Sequence, residues 1–597
     1  AHQCHIVEYD YIDDIDELER IFNMLYSEKP VTAWDLETNT IRPEIPASKI
    51  LVMSMSYKEG QGLTFPLNHA KAKQWNIMES EKLTWLISRM MADNLHVKVG
   101  HNIKFDIKFL RMKLKITDFQ NIRDTKVMYY QIISQEVEKS FTLSDLAYEL
   151  TDMGGYDKPL EDYKEQFKKN YMEQEKAKLE KAIAENKQEV DELNAKNKED
   201  YNNAVKAFKE RKRTDPSAKP PKQPEKIAYK KFPAKSTIKL INEVDGGNFN
   251  YEWIPIDILV PYASGDTDCC LRIHNKLIKQ IAQFPKMYHL TTWFYPMLVR
   301  TLAHLEATGF KADRDWLKTL ESAYTEEQER LTKLLCEEPA VKQVEEYKES
   351  LYAIGLEEFK KPVAERDKDL VKLRNKYKDG NTAFKPSGDD KGLLLFKILK
   401  CKVPYDKESI KESTFTKGTP EGELIWSDYK TDKHVLNYLV KHGEQDEVKR
   451  IAQQLLDISK VSTLKNGFTT KLLELSEADG RIHGGFNETG TQTSRLSSTS
   501  PNMQQIPSKI GDVDRFDYQY PIKRAFVSKY ANEGGALIQG DYQALEMRVG
   551  GLASMDDSMI TAFLNDEDLH TDTAMKTWGL TKEQVTSDLR KRAKAVS

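Results

Sequence analysis

Three short acidic segments carry residue types and spacings that could do phosphoryl chemistry. In Thr32-Ala33-Trp34-Asp35-Leu36-Glu37-Thr38, an apolar strand start leads into two acids two residues apart. Alternate side chains of a strand share a face, so Asp35 and Glu37 point one way and Leu36 points into a core. Adjacent carboxylates repel, and a divalent cation is the usual remedy. The second segment, Gly100 to Leu110, offers Asn102 as a helix start and presents Asp106 beside Phe105 and Phe109. The third, Tyr262-Ala263-Ser264-Gly265-Asp266, opens a helix through Leu277 and places Tyr262 and Asp266 four apart on one face. Taken singly, each has an ordinary explanation: a capping acid, a surface aspartate, a core tyrosine.

Together and in this order, the three segments resemble the motifs of DEDD-type 3′→5′ exonucleases, in the variant with a tyrosine in the last motif. The resemblance covers about Ile6 to Leu277. It implies that Asp35, Glu37, Asp106 and Asp266 hold two divalent ions, Mg²⁺ or Mn²⁺, and that Tyr262 orients the attacking water. Hydrolysis of a phosphodiester needs a hydroxide and a stabilised leaving 3′-oxygen, and paired metal ions supply both. Hard cations take oxygen ligands, which suits carboxylates rather than histidine or cysteine.

A second group of motifs lies near the other end. Thr493 to Pro507, reading TSRLSSTSPNMQQIP, closely resembles the family A DNA polymerase segment TGRLSSxxPNLQNIP. The resemblance implies that Arg495, and Gln504 with it, contact the primer–template; minor-groove acceptors shared by all correct pairs suit such a check. Ser494 stands where the family has glycine. Gly540 to Arg548, GDYQALEMR, is similar to DYSxIELR. That similarity makes Asp541 a ligand of the polymerase metal ions, two per site, and Glu546 the residue that rejects a ribose 2′-hydroxyl. Gln543 and Ala544 depart from the family's Ser-Gln. Asp568-Leu569-His570-Thr571 matches D-I/L-H-T, with His570 a triphosphate contact. Arg590 and Lys594 begin the pattern RxxxKxxxFGxxYG and lie one turn apart, aimed at phosphates by charge. Ser459 to Lys465 resembles the segment that touches the primer backbone, with Lys460, Ser462 and Thr463 suited to phosphate contacts.

Among the elements that must hold these residues, Ile6 to about Leu150 reads as α/β. Val31–Trp34 and Ile50–Tyr57 form strands, and Leu83–Met91 and Ile103–Leu114 form helices. Between Glu161 and Phe208 sparse apolar residues recur at helical spacing, which predicts one long helix or a helical hairpin. The adjoining segment is rich in lysine, arginine and proline, from Lys206 to Lys239, and reads as an extended loop that is either solvated or contacts DNA or a replication partner. This insertion, about 161–245, departs from the bacterial enzymes. From Trp293 the chain is mostly helical, with Val448, Ile451, Leu455 and Ile458 forming one stripe; after Arg481 strands and loops follow, and Ala536–Gln539 is a strand running into Asp541. The fold expected is a ribonuclease H-like α/β exonuclease domain over 1–285. A right-hand polymerase domain over 286–597 follows, with thumb about 315–475, palm about 476–560 and the start of the fingers about 561–597.

Length and composition fit this plan. The 597 residues exceed one domain, and 39% hydrophobic against 31% charged residues supply cores under a heavily solvated surface. No apolar run approaches the roughly 18–20 residues that span a bilayer, and Ala1 to Asp14 is polar and acidic, unlike a signal peptide. Five scattered cysteines have no zinc spacing and read as reduced thiols, consistent with the cytoplasm of a bacterium or a phage-infected cell. The net charge of −4 is neutral on nucleic-acid binding, because the distribution of charge matters more than its sum.

The partners expected are primer–template DNA and deoxynucleoside triphosphates. The sequence ends at Ser597, before the family's stacking aromatic residue and its His-Asp-Glu motif. The expectation drawn from this is a phage-like polymerase, split or truncated, whose remaining part is carried by a second polypeptide and which does not synthesise DNA alone. Two other readings compete. A single-subunit RNA polymerase shares the palm but is disfavoured by Glu546 and the attached exonuclease. A DNA-holding scaffold would have degradation as its only chemistry.

Overall fold

The computed structural model describes residues 7–133, 140–214, 219–230, 249–377, 381–507 and 520–595. Cys4, Asp215, Pro216, Lys231, Lys235 and Lys239 lie outside these. The described residues divide into two compact units, the first running to Phe526 and the second from Val527.

The first unit begins with a six-stranded mixed sheet. Its strands are β1 (Glu8–Tyr11), β2 (Thr32–Thr38), β3 (Ile50–Lys58), β4 (Gln61–Pro66), β5 (Lys98–Gly100) and β6 (Ile122–Asp124), ordered β1-β4-β3-β2-β5-β6. β2 and β3 run antiparallel, as do β3 and β4, whereas β5 and β6 extend the sheet in parallel from β2. The alternation read from sequence sets the faces of β2. Trp34 and Leu36 enter a core shared with α1 (Ile15–Glu28), α2 (Ile77–Ala92) and α3 (Lys104–Lys113). On the other face, Ala33 packs with Val99, Cys270 and Leu271.

Helix α4 (Thr125–Ile132) and α5 (Leu143–Leu150) lead to a single continuous helix, α6, over Lys158–Thr214. The hairpin alternative is therefore not realised. The next long helix, α7, spans Ile256–Ile281 with Pro261 inside it. It begins six residues before Tyr262, so the motif does not open the helix but sits one turn within it. Pro261 is the sixth residue of the helix and has no amide to give the Asp257 carbonyl, so the helix forgoes one internal hydrogen bond there.

Asn102 also differs from expectation. It takes a left-handed conformation with φ 57° and gives α3 no side-chain cap. The capping acceptor is Asp124 instead, whose carboxylate receives the amides of Asn102 at 3.1 Å and Ile103 at 3.0 Å. Asparagine tolerates this conformation better than most residues, which is the role it plays here.

Beyond α7, the helix Tyr295–Thr308 packs on α3, and Val299 and Ala303 join the exonuclease-side core. A buried ionic tie lies beside that contact. Lys104 Nζ sits 2.9 Å from Glu306 and 3.0 Å from Glu488, and Lys108 reaches Glu306 at 2.8 Å. The helical region that follows buries Val448, Ile451, Leu455 and Ile458 along Asp446–Ser462, the stripe legible in sequence. The strand expected over Ala536–Gln539 is absent: the segment pairs with no strand among the described residues, and Ile538 is 97% exposed. A lone run cannot close a ladder of hydrogen bonds, whatever its apolar content.

Candidate active sites

β2, α3 and α7 bring the first constellation together. Asp35, Glu37 and Asp266 each present a carboxylate oxygen within 4.8 Å of the others. Asp106 is buried next to them but turned to the backbone, its Oδ1 accepting the Leu36 amide at 3.2 Å. Three of the four predicted acids thus form a cluster, and the fourth braces the strand that carries two of them.

The electrostatics follow from burial. Desolvation raises the carboxyl groups of Asp35, Glu37 and Asp106 well above the usual range, and the charges of the neighbouring acids add to it. Asp266 is pushed up to about 7 by burial, while hydrogen bonds from Tyr156 and Tyr262 oppose the rise. Glu37 Oε1 is buried and accepts no hydrogen bond among the described residues. An orphaned buried oxygen amid mutually repelling acids is the donor set a divalent cation requires, so the residues fit a metal ion.

Three residues that the sequence did not single out complete the site. Tyr156 donates from its phenol to Asp266 Oδ1. Its ring stacks on Tyr262, with centroids 6.3 Å apart and 9° between planes, and Tyr251 flanks Tyr262 on the other side at 6.3 Å. Lys164, in the second turn of α6, donates to the Tyr251 hydroxyl at 2.8 Å and to Glu161 at 2.8 Å, and its charge lowers the carboxyls of Glu37 and Asp266. Burial and the nearby acids hold all three phenols above the ordinary tyrosine range, so they stay protonated and act as donors.

A cavity of about 190 Å³ opens from Glu37, walled by Ile41, Phe105, Phe249 and Tyr251. A larger cavity of about 830 Å³ shares Thr40, Ile41 and Phe105 with it and is lined further on by Arg42, Lys108, Lys471 and His483.

Arg495 lies on an exposed turn before the strand Ser497–Thr499. Ser494 holds φ 59°, a left-handed value that suits the glycine of the related motif. It is pinned there: its amide donates to the Tyr130 hydroxyl at 3.1 Å, and Tyr130 also donates to Thr491 O at 2.8 Å. Gln504 is exposed, its amide donating to Leu496 O at 3.0 Å. Lys460, Ser462 and Thr463 cluster at the end of Asp446–Ser462, with Lys460 and Thr463 exposed.

The second unit gathers the remaining predicted residues. Asp541, Glu546, His570, Arg590 and Lys594 line one cleft of about 560 Å³. Asp541 is exposed on a loop before the helix Leu545–Ser554, not at a strand end. Arg590 pairs with Asp568 through Nε at 2.5 Å and Nη2 at 3.2 Å, which depresses the Asp568 carboxyl to about 2.

Residues 9–184 match the family described as 3′-5′ exonuclease, and residues 407–597 match DNA polymerase family A. The chain is 26% identical over 612 residues to a DNA polymerase of Bacillus phage SP01, covering 98% of this chain and 54% of the relative. A DNA polymerase of Escherichia phage T5 is 25% identical over 94% of this chain and 49% of its own length. DNA polymerase I of Bacillus subtilis is 34% identical over 30% of this chain and 19% of its own. The chain therefore spans about half the length of the two phage relatives. Those relatives are single chains, so the expectation of a second polypeptide finds no support in them. Among solved structures, the polymerase domain of Pol1 from M. smegmatis, in complex with DNA primer–template and dNTP, superposes with a TM-score of 0.55 at 18% identity. The match covers 98% of this chain and 70% of that one. Among the described residues no helix is long and apolar enough to cross a membrane.

Proposed function

We propose, starting from a chain that is a family A DNA polymerase with a 3′-5′ exonuclease domain, that the Asp35–Glu37–Asp266 cluster hydrolyses the terminal phosphodiester of a DNA 3′ end. The observation that carries this reading is the convergence of those three acids within 4.8 Å, with Tyr262 hydrogen-bonded to Asp266. Asp35, Glu37, Asp266 and, after a turn of its side chain, Asp106 would hold two Mg²⁺ or Mn²⁺ ions. Ions bound there supply Lewis acidity and neutralise charge developing on the leaving oxygen.

The protein's own groups do the rest. Tyr262 is a protonated phenol within reach of Asp266 and orients the attacking water through its hydroxyl. Tyr156, stacked on Tyr262, also donates to Asp266 and fixes the carboxylate the phenol leans on. Phe105, Ile41 and Tyr251 give the cavity an apolar wall for the terminal base, and the cations of the adjoining cavity suit the phosphates of the strand behind it.

In the second unit, Asp541 would bind the metal ions of nucleotide addition, Glu546 would exclude a 2′-hydroxyl, and His570, Arg590 and Lys594 would meet the triphosphate. Arg495, Gln504, Lys460, Ser462 and Thr463 would hold primer–template. A DNA-holding module without synthesis is the competing reading. Hydrolysis of a single-stranded oligonucleotide by the wild-type chain, abolished in Asp35→Ala, supports the exonuclease. Hydrolysis that persists in Asp35→Ala overturns it.

A further inference from the structure

Helix α6 is rooted in the exonuclease site and divides into two electrical halves. At its base, Tyr163 donates to Trp253 O at 2.9 Å, Phe167 stacks on Trp253 at 5.2 Å, and Lys164 holds Tyr251. From there 57 residues at 1.5 Å each carry the helix about 85 Å. Over residues 158–200 ten lysines face twelve acids. Several pair one turn apart, as in Lys158–Asp162, Lys178–Glu175 and Lys181–Glu185. This stretch is a self-neutralised stalk.

Beyond it the balance reverses. Over the described residues 201–214 and 219–230, nine lysines and arginines stand against Glu210 and Glu225. All nine are exposed.

The returning segment is fastened to the stalk rather than left loose. The Ile227 amide donates to Asn194 Oδ1 at 2.8 Å, and Asn194 Nδ2 returns a bond to Ile227 O at 3.0 Å. Tyr229 donates to Asp191 at 2.6 Å, and the Lys230 amide donates to Asn186 Oδ1 at 2.8 Å. Lysines 219, 222 and 226 lie on the exposed segment that leads into this attachment.

We infer that this cationic tip binds the phosphate backbone of duplex DNA, holding the substrate at a distance from the exonuclease site in which the stalk is anchored. Charge chooses the ligand. A protein partner would call for an apolar centre, and the tip offers almost none. Unpaired strands are gripped by rows of stacking aromatics. Here Phe208 lies under Lys212 at 5.6 Å, and Tyr229 is engaged with Asp191. Dense cations, in excess of the nearby acids and without either feature, match a sequence-independent phosphate contact. The inference depends on the exonuclease–polymerase reading only for the choice of DNA as ligand.

Binding of the full chain to a duplex of about 40 base pairs, measured by fluorescence anisotropy across a salt series, tests it. In the variant K206Q/K209Q/R211Q/K212Q/R213Q, glutamine preserves helix propensity. Affinity at low salt should fall roughly 10- to 1,000-fold, and the slope of log K against log salt should shrink by about 0.9 for each phosphate no longer neutralised. A second variant, K219Q/K222Q/K226Q, should also show a smaller slope than wild type. Hydrolysis of a five-nucleotide single strand should be unchanged in both. A slope equal to wild type, a loss confined to single-stranded DNA, or a loss only of binding to an acidic protein overturns the inference. Failure of the wild-type chain to hydrolyse the short strand would count against the exonuclease reading alone, since duplex binding is read without catalysis.

Discussion

Asp266 and Asp541 are both acids at the centre of a predicted metal site, yet their surroundings have little in common. Asp266 is buried on a helix, bonded by two phenols and crowded by Asp35 and Glu37. Asp541 is exposed on a loop, in an open cleft where the nearest organised ionic feature is the Arg590–Asp568 pair. The first site is preorganised by the sheet and helices around it, so its electrostatics are set before any substrate arrives. The second has its residues gathered but not enclosed. Leu537, Ile538, Tyr542, Leu545 and Leu552 around it face solvent, an apolar surface of the kind a protein normally covers.

The sharpest way to break this contrast is to remove one acid from each site. Asp35→Ala should lower 3′-end hydrolysis by roughly 10³-fold or more, because the metal-holding set loses a member that nothing replaces. Asp541→Ala should leave that rate within about twofold. Gel-resolved hydrolysis of a labelled oligonucleotide reads both, and a comparable loss in Asp541→Ala would erase the distinction between the sites.

Acid should separate the two regions next. Burial depresses His96, His101 and His274 to about 4 from 6.5. Below pH 6.5 the unfolded chain takes up protons that these folded rings refuse, so their contribution falls as pH drops from 6.5 to about 4, whereas the raised carboxyls of Asp35, Glu37, Asp106 and Asp266 take up protons in the fold first and contribute in the opposite sense. For each ring the loss is on the order of 3 kcal/mol. In the second unit the Asp568 carboxyl lies below its ordinary 3.8, so its contribution is present above 3.8 and lost as pH falls through about 2. Hydrogen exchange across a pH series reads the two opposing sets: without added Mg²⁺ the core around β2 should gain protection relative to the second unit between about pH 7 and 5, and a core that opens first would show the three rings outweighing the carboxyls.

Metal binding gives a smaller, directional effect. With Asp266 held near 7, a proton must leave for a cation to enter, so Mg²⁺ affinity of the first site should rise about tenfold per pH unit below 7 for each proton displaced, then flatten. Calorimetry in buffers of different ionisation enthalpy counts those protons; a pH-independent affinity would contradict the burial argument. Smallest is Lys164→Ala, expected to lower the hydrolysis rate about tenfold with KM little changed, and Lys164→Arg to restore most of it. An equal loss in both variants would point to a structural role only.

The clustering of Asp35, Glu37 and Asp266 was legible because the motif resemblance named them together, and strand alternation and one helical turn fix which neighbours share a face. Asp35 with Glu37 and Tyr262 with Asp266 are local relations. Tyr156, Tyr251 and Lys164 were invisible for the opposite reason. Tyr156 lies 110 residues from the aspartate it bonds, and Lys164 lies 87 from Tyr251, so only tertiary packing brings them in. Asn102 was misjudged because a helix start can be capped by an acid 22 residues away. The apolar run at Ala536–Gln539 has strand composition, but pairing is a property of two segments and composition describes one. The continuous α6 was left open between helix and hairpin because a sparse apolar stripe fits both until the turn residues are placed.

The charges shared by Lys104, Glu306 and Glu488 bear on how this protein can be cut. Lys104 stands two residues from Asp106, while its two carboxylate partners come from far along the sequence. Severing the chain near residue 285 would remove both counterions of Lys104 and, with the helix Tyr295–Thr308, the Val299 and Ala303 side chains that complete the apolar core. The sheet domain is therefore not an exchangeable cassette: a fragment should keep its core only if it extends past Thr308, and both counterions of Lys104 only if it extends past Glu488.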